Sequence, residues 1–239
     1  MNGKLTGKRA LVTGATRGIG WAIAAALAAE GASVTGTGTR PDGTVPEGCD
    51  YLAIDFADTA ATEAFAKEAR ALAPDILINN AGINKIGAFA EIAPEDFRRI
   101  QQVNVTAPFI LIAAVIDGMK AKGWGRIVNI SSIWGKISKE FRASYSSSKF
   151  AIDGMTAALS AEVAKHGILA NCVAPGFIDT ELTRRVLGDD GIAELVSKVP
   201  IGRLGTVEEV ATFVAWLAGP DNTFISGQNI AIDGGFTRV

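Results

Sequence analysis

Histidine is almost missing from this sequence: His166 is the only one in 239 residues. A histidine-built metal site is therefore excluded. A Ser–His–Asp hydrolase would have to draw its base from Lys165-His166-Gly167. That stretch reads instead as a helix end, where an imidazole serves the last carbonyls and the negative end of the dipole. Cysteine is nearly as scarce. Cys49 and Cys172 stand far apart without metal-ligand spacing, so a reducing, cytoplasmic setting is the expectation. Charge of one sign is lacking too. The 23 basic and 25 acidic residues leave a net −2, with no footprint for nucleic acid or an anionic membrane. The apolar run at residues 109–116 falls well short of the roughly eighteen residues a membrane span needs, and reads as part of a helix. The opening Met1-Asn2-Gly3-Lys4 leads straight toward a strand without an apolar leader.

What is present is apolar and regularly punctuated. Hydrophobic residues make up 48% of the chain, enough for one large core, and α/β chains of this length commonly form one domain. Strand-like runs at residues 9–13, 33–36, 51–54, 76–78, 126–130, 169–173 and 229–232 alternate with helical patterns at 20–30, 59–73, 93–122, 144–165 and 207–217. Strands separated by helices of about ten residues or more imply right-handed βαβ crossovers and a mostly parallel sheet. Runs such as Asp75-Ile76-Leu77-Ile78 suit strands covered by helices on both faces. No repeat, linker or low-complexity stretch divides residues 1–239, which read as a single domain. The segment 180–203 breaks the rhythm with Gly188-Asp189-Asp190-Gly191. Following the carboxyl end of a strand, it is placed to form a lid over a site, with a plain surface helical hairpin as the alternative.

The first strand runs into Thr13-Gly14-Ala15-Thr16-Arg17-Gly18-Ile19-Gly20 and then a helix. Strand, glycine-rich turn and helix make an anion site, because free backbone N–H groups and the positive dipole end face a pyrophosphate. A carboxylate that would accept bonds from an adenosine 2′-hydroxyl is missing where the second strand ends, Gly36-Thr37-Gly38-Thr39-Arg40. Asp42 sits beyond it in a Pro-Asp-Gly turn. Thr39 and Arg40, with Arg17, instead suit a 2′-phosphate, so NADP(H) is favoured over NAD(H). Asp55 and Phe56, past the third strand, are placed near the adenine edge. Asn79-Asn80-Ala81-Gly82, past the fourth, is placed beside the adenosine ribose, with a capped turn as the alternative.

Tyr145-Ser146-Ser147-Ser148-Lys149 opens a long helix. Residues four apart share a helical face, and an ammonium beside a phenol stabilises the phenolate and lowers its pKa toward the working range. Ser132, in Asn129-Ile130-Ser131-Ser132 at the end of the fifth strand, is positioned to converge with Tyr145 on one oxygen. Ser132 would donate to a substrate carbonyl while Tyr145 transfers the proton. Ser131 is the alternative donor, since neighbours at a strand end point opposite ways.

These motifs, in this order and spacing, resemble the short-chain dehydrogenases/reductases over nearly the whole chain. The resemblance rests on residues 13–20, Asp55, residues 79–82, Asn104, Ser132, Tyr145, Lys149 and Pro175-Gly176-Phe177-Ile178-Asp179-Thr180. It implies a single-domain Rossmann fold, a doubly wound parallel seven-stranded sheet in the order 3-2-1-4-5-6-7 with helices on both faces. It implies that Lys149 also binds the nicotinamide ribose and that Asn104 holds a water in a proton relay. It implies further that the loop after Pro175 and Gly176, through the Ile178 backbone and Thr180, contacts the nicotinamide carboxamide. A homotetramer is implied as well; Ala151, Ile152, Met155 and Ala158 are candidates for helix-packing interfaces.

Within the family the chain is most similar to the 3-oxoacyl-carrier-protein reductases, through residues 17–20, 174–178 and 202–205 and the ending Asp233-Gly234-Gly235. The arginines that often dock the acidic carrier are absent. Gly123 and His166 stand in their places, with Lys120, Lys122 and Lys165 close by. The expected activity is reduction of a ketone, a 3-oxoacyl thioester or similar β-keto compound, with a small carbonyl/alcohol substrate and a doubtful carrier protein. A sugar, polyol or other hydroxy-compound dehydrogenase is the alternative, given Lys85, Trp134, Glu140 and Arg142 near the expected mouth. A non-enzymatic dinucleotide sensor would be expected to lose the tyrosine or the lysine.

Overall fold

The computed structural model describes residues 3–239. Seven strands form one parallel sheet: β1 (Arg9–Val12), β2 (Ser33–Gly38), β3 (Asp50–Ala53), β4 (Ile76–Asn79), β5 (Gly125–Ile130), β6 (Ile168–Pro175) and β7 (Asn229–Ile232). Their order is β3-β2-β1-β4-β5-β6-β7, as the resemblance implies. The order reverses between β1 and β4, which pair in parallel register, and the crevice at their carboxyl ends is where a ligand binds in such sheets.

Alternation along each strand sorts the core into two layers. Val12, Ile78, Ile130 and Val173 face helices α1 (Gly18–Ala29) and α7 (Val207–Leu217), packing on Ile23, Leu27, Val210 and Val214. Leu11, Leu77, Ile127 and Ala170 face the other side, against α2 (Thr59–Leu72), α4 (Ala107–Lys122) and α5 (Ala143–Val163). The near-continuous apolar runs reflect this burial from both faces.

Helix boundaries follow local chemistry. Asp58 caps α2 by accepting the Ala61 N–H at 3.0 Å. Thr206 and Glu209 form a reciprocal capping box on α7. His166 closes the short turn Ala164–His166 before Gly167, whose left-handed backbone ends the helix.

The expected helix at 93–122 is not continuous. It comprises α3 (Pro94–Gln101), a π-helical turn (Gln102–Thr106) and α4. Pro108 lacks the amide hydrogen that an α-helix would direct to the Asn104 carbonyl, and the wide turn accommodates that loss. The combined run Pro94–Lys122 has the length and apolarity of a membrane span, yet half of its apolar window is buried inside the domain, as in a core helix. The segment after Thr180 forms α6 (Glu181–Val196), kinked at Gly188 with φ 62°.

Candidate active site

The glycine-rich turn connects β1 to α1. Gly14 and Gly18 adopt left-handed backbones, φ 66° and 55°, which glycine enters without a Cβ clash. The Thr13 hydroxyl buckles the turn to β4 by accepting the Asn80 and Ala81 N–H groups, each at 2.9 Å. Asn80 Nδ2 donates to the Thr13 and Gly14 carbonyls, both at 3.0 Å. No side chain caps α1 and no acid lies in its first turn, so the amides of Gly18, Ile19 and Gly20 stay available to an anion. A Cβ built on Gly18 would meet only Thr180, whose Cγ2 lies 3.9 Å away. Thr180, capping α6 by accepting the Thr183 N–H at 3.1 Å, therefore forms the opposite wall of this cradle.

Thr39 and Arg40 end β2 in the open. The Arg40 side chain is 77% exposed and meets Asp42 only at 3.7 Å, a separation that leaves the guanidinium available. Asp55 accepts the Ala57 N–H at 2.9 Å. Phe56 departs from expectation. Its ring is buried edge-on against Phe65 at 5.9 Å, in the α2–α4 layer. Asn80 also departs: its amide closes the glycine-rich turn, in line with the capped-turn alternative.

Beyond the cradle, Asn104 and Lys149 approach Gly82. A Cβ there would lie 3.4 Å from Asn104 Oδ1 and 3.7 Å from Lys149 Nζ. Asn104, buried on the π-helical turn, accepts the Ile83 N–H at 2.9 Å and donates to the Ile83 carbonyl and Ser148 Oγ, both at 3.0 Å. Lys149 is buried and donates to the Ile130 carbonyl at 2.7 Å; its Nζ lies 5.5 Å from the Tyr145 ring centre. Burial pushes the Lys149 ammonium down to about 8.

The two serines divide. Ser131 Oγ donates to the Lys149 carbonyl at 3.3 Å, fixing β5 to α5, and Gly135 leaves room for that approach. Ser132 Oγ accepts the Trp134 N–H at 3.2 Å and belongs to the hydrogen-bonding environment of the Tyr145 phenol. Ser132 is thus the serine that meets Tyr145.

Burial raises the Tyr145 phenol, opposed by hydrogen bonding to Ser132 and by the positive charge of Arg142. The expected lowering by Lys149, whose Nζ lies 5.5 Å from the ring centre, does not enter that balance. Pro175 ends β6, and Gly176 packs on Asp233 where no Cβ would fit. The Ile178 carbonyl accepts the Thr183 hydroxyl at 2.8 Å.

The family described as enoyl-(acyl carrier protein) reductase matches residues 14–237. The 3-oxoacyl-[acyl-carrier-protein] reductase FabG of Escherichia coli (strain K12) is 40% identical, with 98% of each chain covered. The chain belongs to the short-chain dehydrogenase/reductase family. Two solved structures of this family superpose closely. A putative NAD(P)-dependent gluconate 5-dehydrogenase from Beutenbergia cavernae, with bound NADP at low occupancy, has TM-score 0.91 and 33% identity over 98% of each chain. A gluconate 5-dehydrogenase from Burkholderia cenocepacia J2315, in complex with NADP and tartrate, has TM-score 0.90 and 33% identity, covering 98% of this chain and 97% of that one.

For this short-chain dehydrogenase/reductase, sequence reasoning missed Thr13 as the buckle of the glycine-rich turn and Ser148 as the partner of Asn104. A Thr immediately before the first glycine was the available signal for Thr13. Of the four residues expected on a helix-packing surface, Ala151 and Ala158 are exposed, whereas Ile152 is buried and Met155 packs into the core.

Proposed function

We propose that the protein is an NADP(H)-dependent reductase of a small β-keto compound, a 3-oxoacyl thioester or similar ketone. The observation that carries it is the meeting of Tyr145 with Ser132 and, 5.5 Å from its ring centre, with Lys149, whose Nζ borders Gly82 together with Asn104 Oδ1. The cradle fits a dinucleotide. Gly14 and Gly18 expose amides, Arg17 flanks them, and Arg40 stands at the end of β2 where a 2′-phosphate would need a cation. Asp55, the backbones of Phe56, Ala81 and Gly82, and the Pro175–Thr180 loop would line the rest. When bound, the dinucleotide supplies the hydride that adds to the carbonyl carbon.

The remaining chemistry belongs to the chain. Ser132 donates to the carbonyl oxygen and orients it. Tyr145 gives its phenolic proton to that oxygen as the C=O π bond becomes a C–H and an O–H. Lys149 returns a proton to the phenolate once it forms, with Asn104 holding the water of that relay. Residues 180–203 serve as the lid, and the protein works as a cytoplasmic homotetramer.

A carrier protein adds little to recognition. Gly123 carries no side chain, and Lys122 is already committed to Asp75 and the Ala73 carbonyl, both at 2.7 Å. Gluconate dehydrogenases among the structural relatives, and the cationic mouth around Trp134, favour a hydroxy-acid dehydrogenase as the second reading.

The decisive test follows NADPH oxidation with the same β-keto group presented on a carrier, on coenzyme A and as a short ester, beside a panel of sugar acids. Similar kcat/KM for the three β-keto forms is expected. A hundredfold preference for the carrier form would show that Lys120 and Lys165 suffice for docking. The cofactor is tested separately: Arg40→Ala should narrow an NADPH preference by about tenfold, one charge-assisted contact, and a wild type that uses NADH better overturns the assignment.

A further inference from the structure

Arg142 occupies an unusual position for an arginine. It immediately precedes α5, three residues before Tyr145, and its guanidinium carbon lies 5.7 Å from the centre of the Trp134 ring. Its Nε is buried without a hydrogen-bond partner. Among the described residues it joins no ion pair. Burial pushes the guanidinium below its ordinary value, and its charge is felt at the Tyr145 phenol. A cation taken partly out of water, with a free donor and no anion, lacks the partner that would offset its desolvation.

The backbone holds it there. Phe141, the preceding residue, adopts a left-handed conformation with φ 65°, which bulky L-residues avoid unless the surroundings enforce it. The Phe141 carbonyl accepts the Gly87 N–H at 3.3 Å, tying this strained corner to the loop after β4. Trp134, which follows Ser132 and donates its N–H to Ser132 Oγ, is fixed edge-on by Phe177 and Phe236 at 6.2 and 6.3 Å. A second cation, Lys139 Nζ, lies 5.8 Å from the same ring. The wall of the site next to the proton donor is therefore apolar in body and positive in charge.

We propose that Arg142 is a substrate-specificity residue, binding a carboxylate carried by the substrate within a few bonds of the reacting carbonyl, so that among small β-keto compounds one bearing a carboxylate is preferred over its uncharged ester. The proposal rests on the reductase reading and selects among its substrates. The planar guanidinium pairs with a carboxylate through two parallel N–H donors, a geometry that also fixes which carbonyl face is presented. The reaction is unchanged: hydride to carbon, phenolic proton to oxygen, carboxylate retained.

The test compares a short β-keto acid, acetoacetate, with its methyl ester, which has the same ketone without the charge. Wild type is expected to favour the acid by about tenfold or more in kcat/KM, the scale of one charge-assisted contact. Arg142→Gln should bring the acid-to-ester ratio near one, and Arg142→Lys should restore part of it. An unchanged ratio in Arg142→Gln, or a wild type that favours the ester, overturns the proposal. Calorimetry of 3-hydroxybutyrate and its methyl ester, with the oxidised dinucleotide bound, separates this from failure of the reductase reading. If no ketone is turned over, the reductase reading fails. Arg142 is then judged by binding alone: weaker hydroxy-acid binding in Arg142→Gln supports the carboxylate site, and equal binding refutes it.

Discussion

Tyr145 and Lys149 share one helical face, but their environments set them differently. The phenol is raised by burial and held in check by Ser132 and Arg142, so its proton is retained at neutral pH and available for transfer to a carbonyl. Tyr145→Phe should lower turnover at least about a hundredfold, the scale of acid–base catalysis, while a fluorescence titration shows dinucleotide affinity little changed. Lys149 gives a pH signature. Its folded pKa of about 8 lies below the ordinary 10.5, so the buried charge opposes folding fully below pH 8. The opposition fades as pH rises toward 10.5, where the unfolded side chain also loses its proton. The span corresponds to roughly 3 kcal/mol, partly offset by the bond to Ile130. Without dinucleotide, Lys149→Met is expected to melt above wild type at pH 7, with the gap narrowing between pH 8 and 10. Melting curves at three pH values check this, and a gap that widens with pH contradicts it.

At the scale of elements, the π-helical turn between α3 and α4 ties three parts of the fold together. Asn104 on that turn bonds to the loop after β4 through Ile83 and to α5 through Ser148. Asn104→Ala would leave the half-buried Ile83 N–H and carbonyl without their partner, at up to about 1–3 kcal/mol. A melting midpoint several degrees lower is expected, together with faster hydrogen exchange at Ile83. An unchanged Ile83 amide would mean that the loop does not depend on this anchor. The helical period alone hid the turn, because the apolar positions of residues 93–122 fit a continuous helix. Pro108 was the local clue, since it lacks the backbone donor that a continuous α-helix would direct to the Asn104 carbonyl.

For the whole molecule, several large apolar side chains stand exposed on helices. Phe97, Phe109 and Phe150 lie on α3, α4 and α5 at 42%, 59% and 46% exposure, beside exposed Ala151 and Ala158. Exposed aromatic and small side chains on these helices suit an isologous contact between two copies. Light scattering of the wild type is expected to give a tetramer, and Phe109→Asp with Phe150→Asp should reduce it to smaller species. A wild-type monomer at micromolar concentration contradicts the assembly. Ile152 and Met155 had the same apolar character in sequence, yet they point to the sheet; composition does not say which side of a helix meets the core when both sides are apolar.

The sequence by itself determined the fold class, because alternating strand and helix periods are short-range and leave few parallel topologies once crossovers must be right-handed. It also determined the glycine-rich turn and the Tyr145–Lys149 face, whose chemistry lies within a few residues of chain. Tertiary structure decided the pairings between distant segments. It chose Ser132 over Ser131, gave Asn80 to the turn at Thr13 and Gly14, and buried Phe56 against Phe65. It also brought Arg142 against Trp134 without a partner. These outcomes depend on which strand ends lie side by side and on how deeply each polar group is buried, and neither is encoded in local spacing.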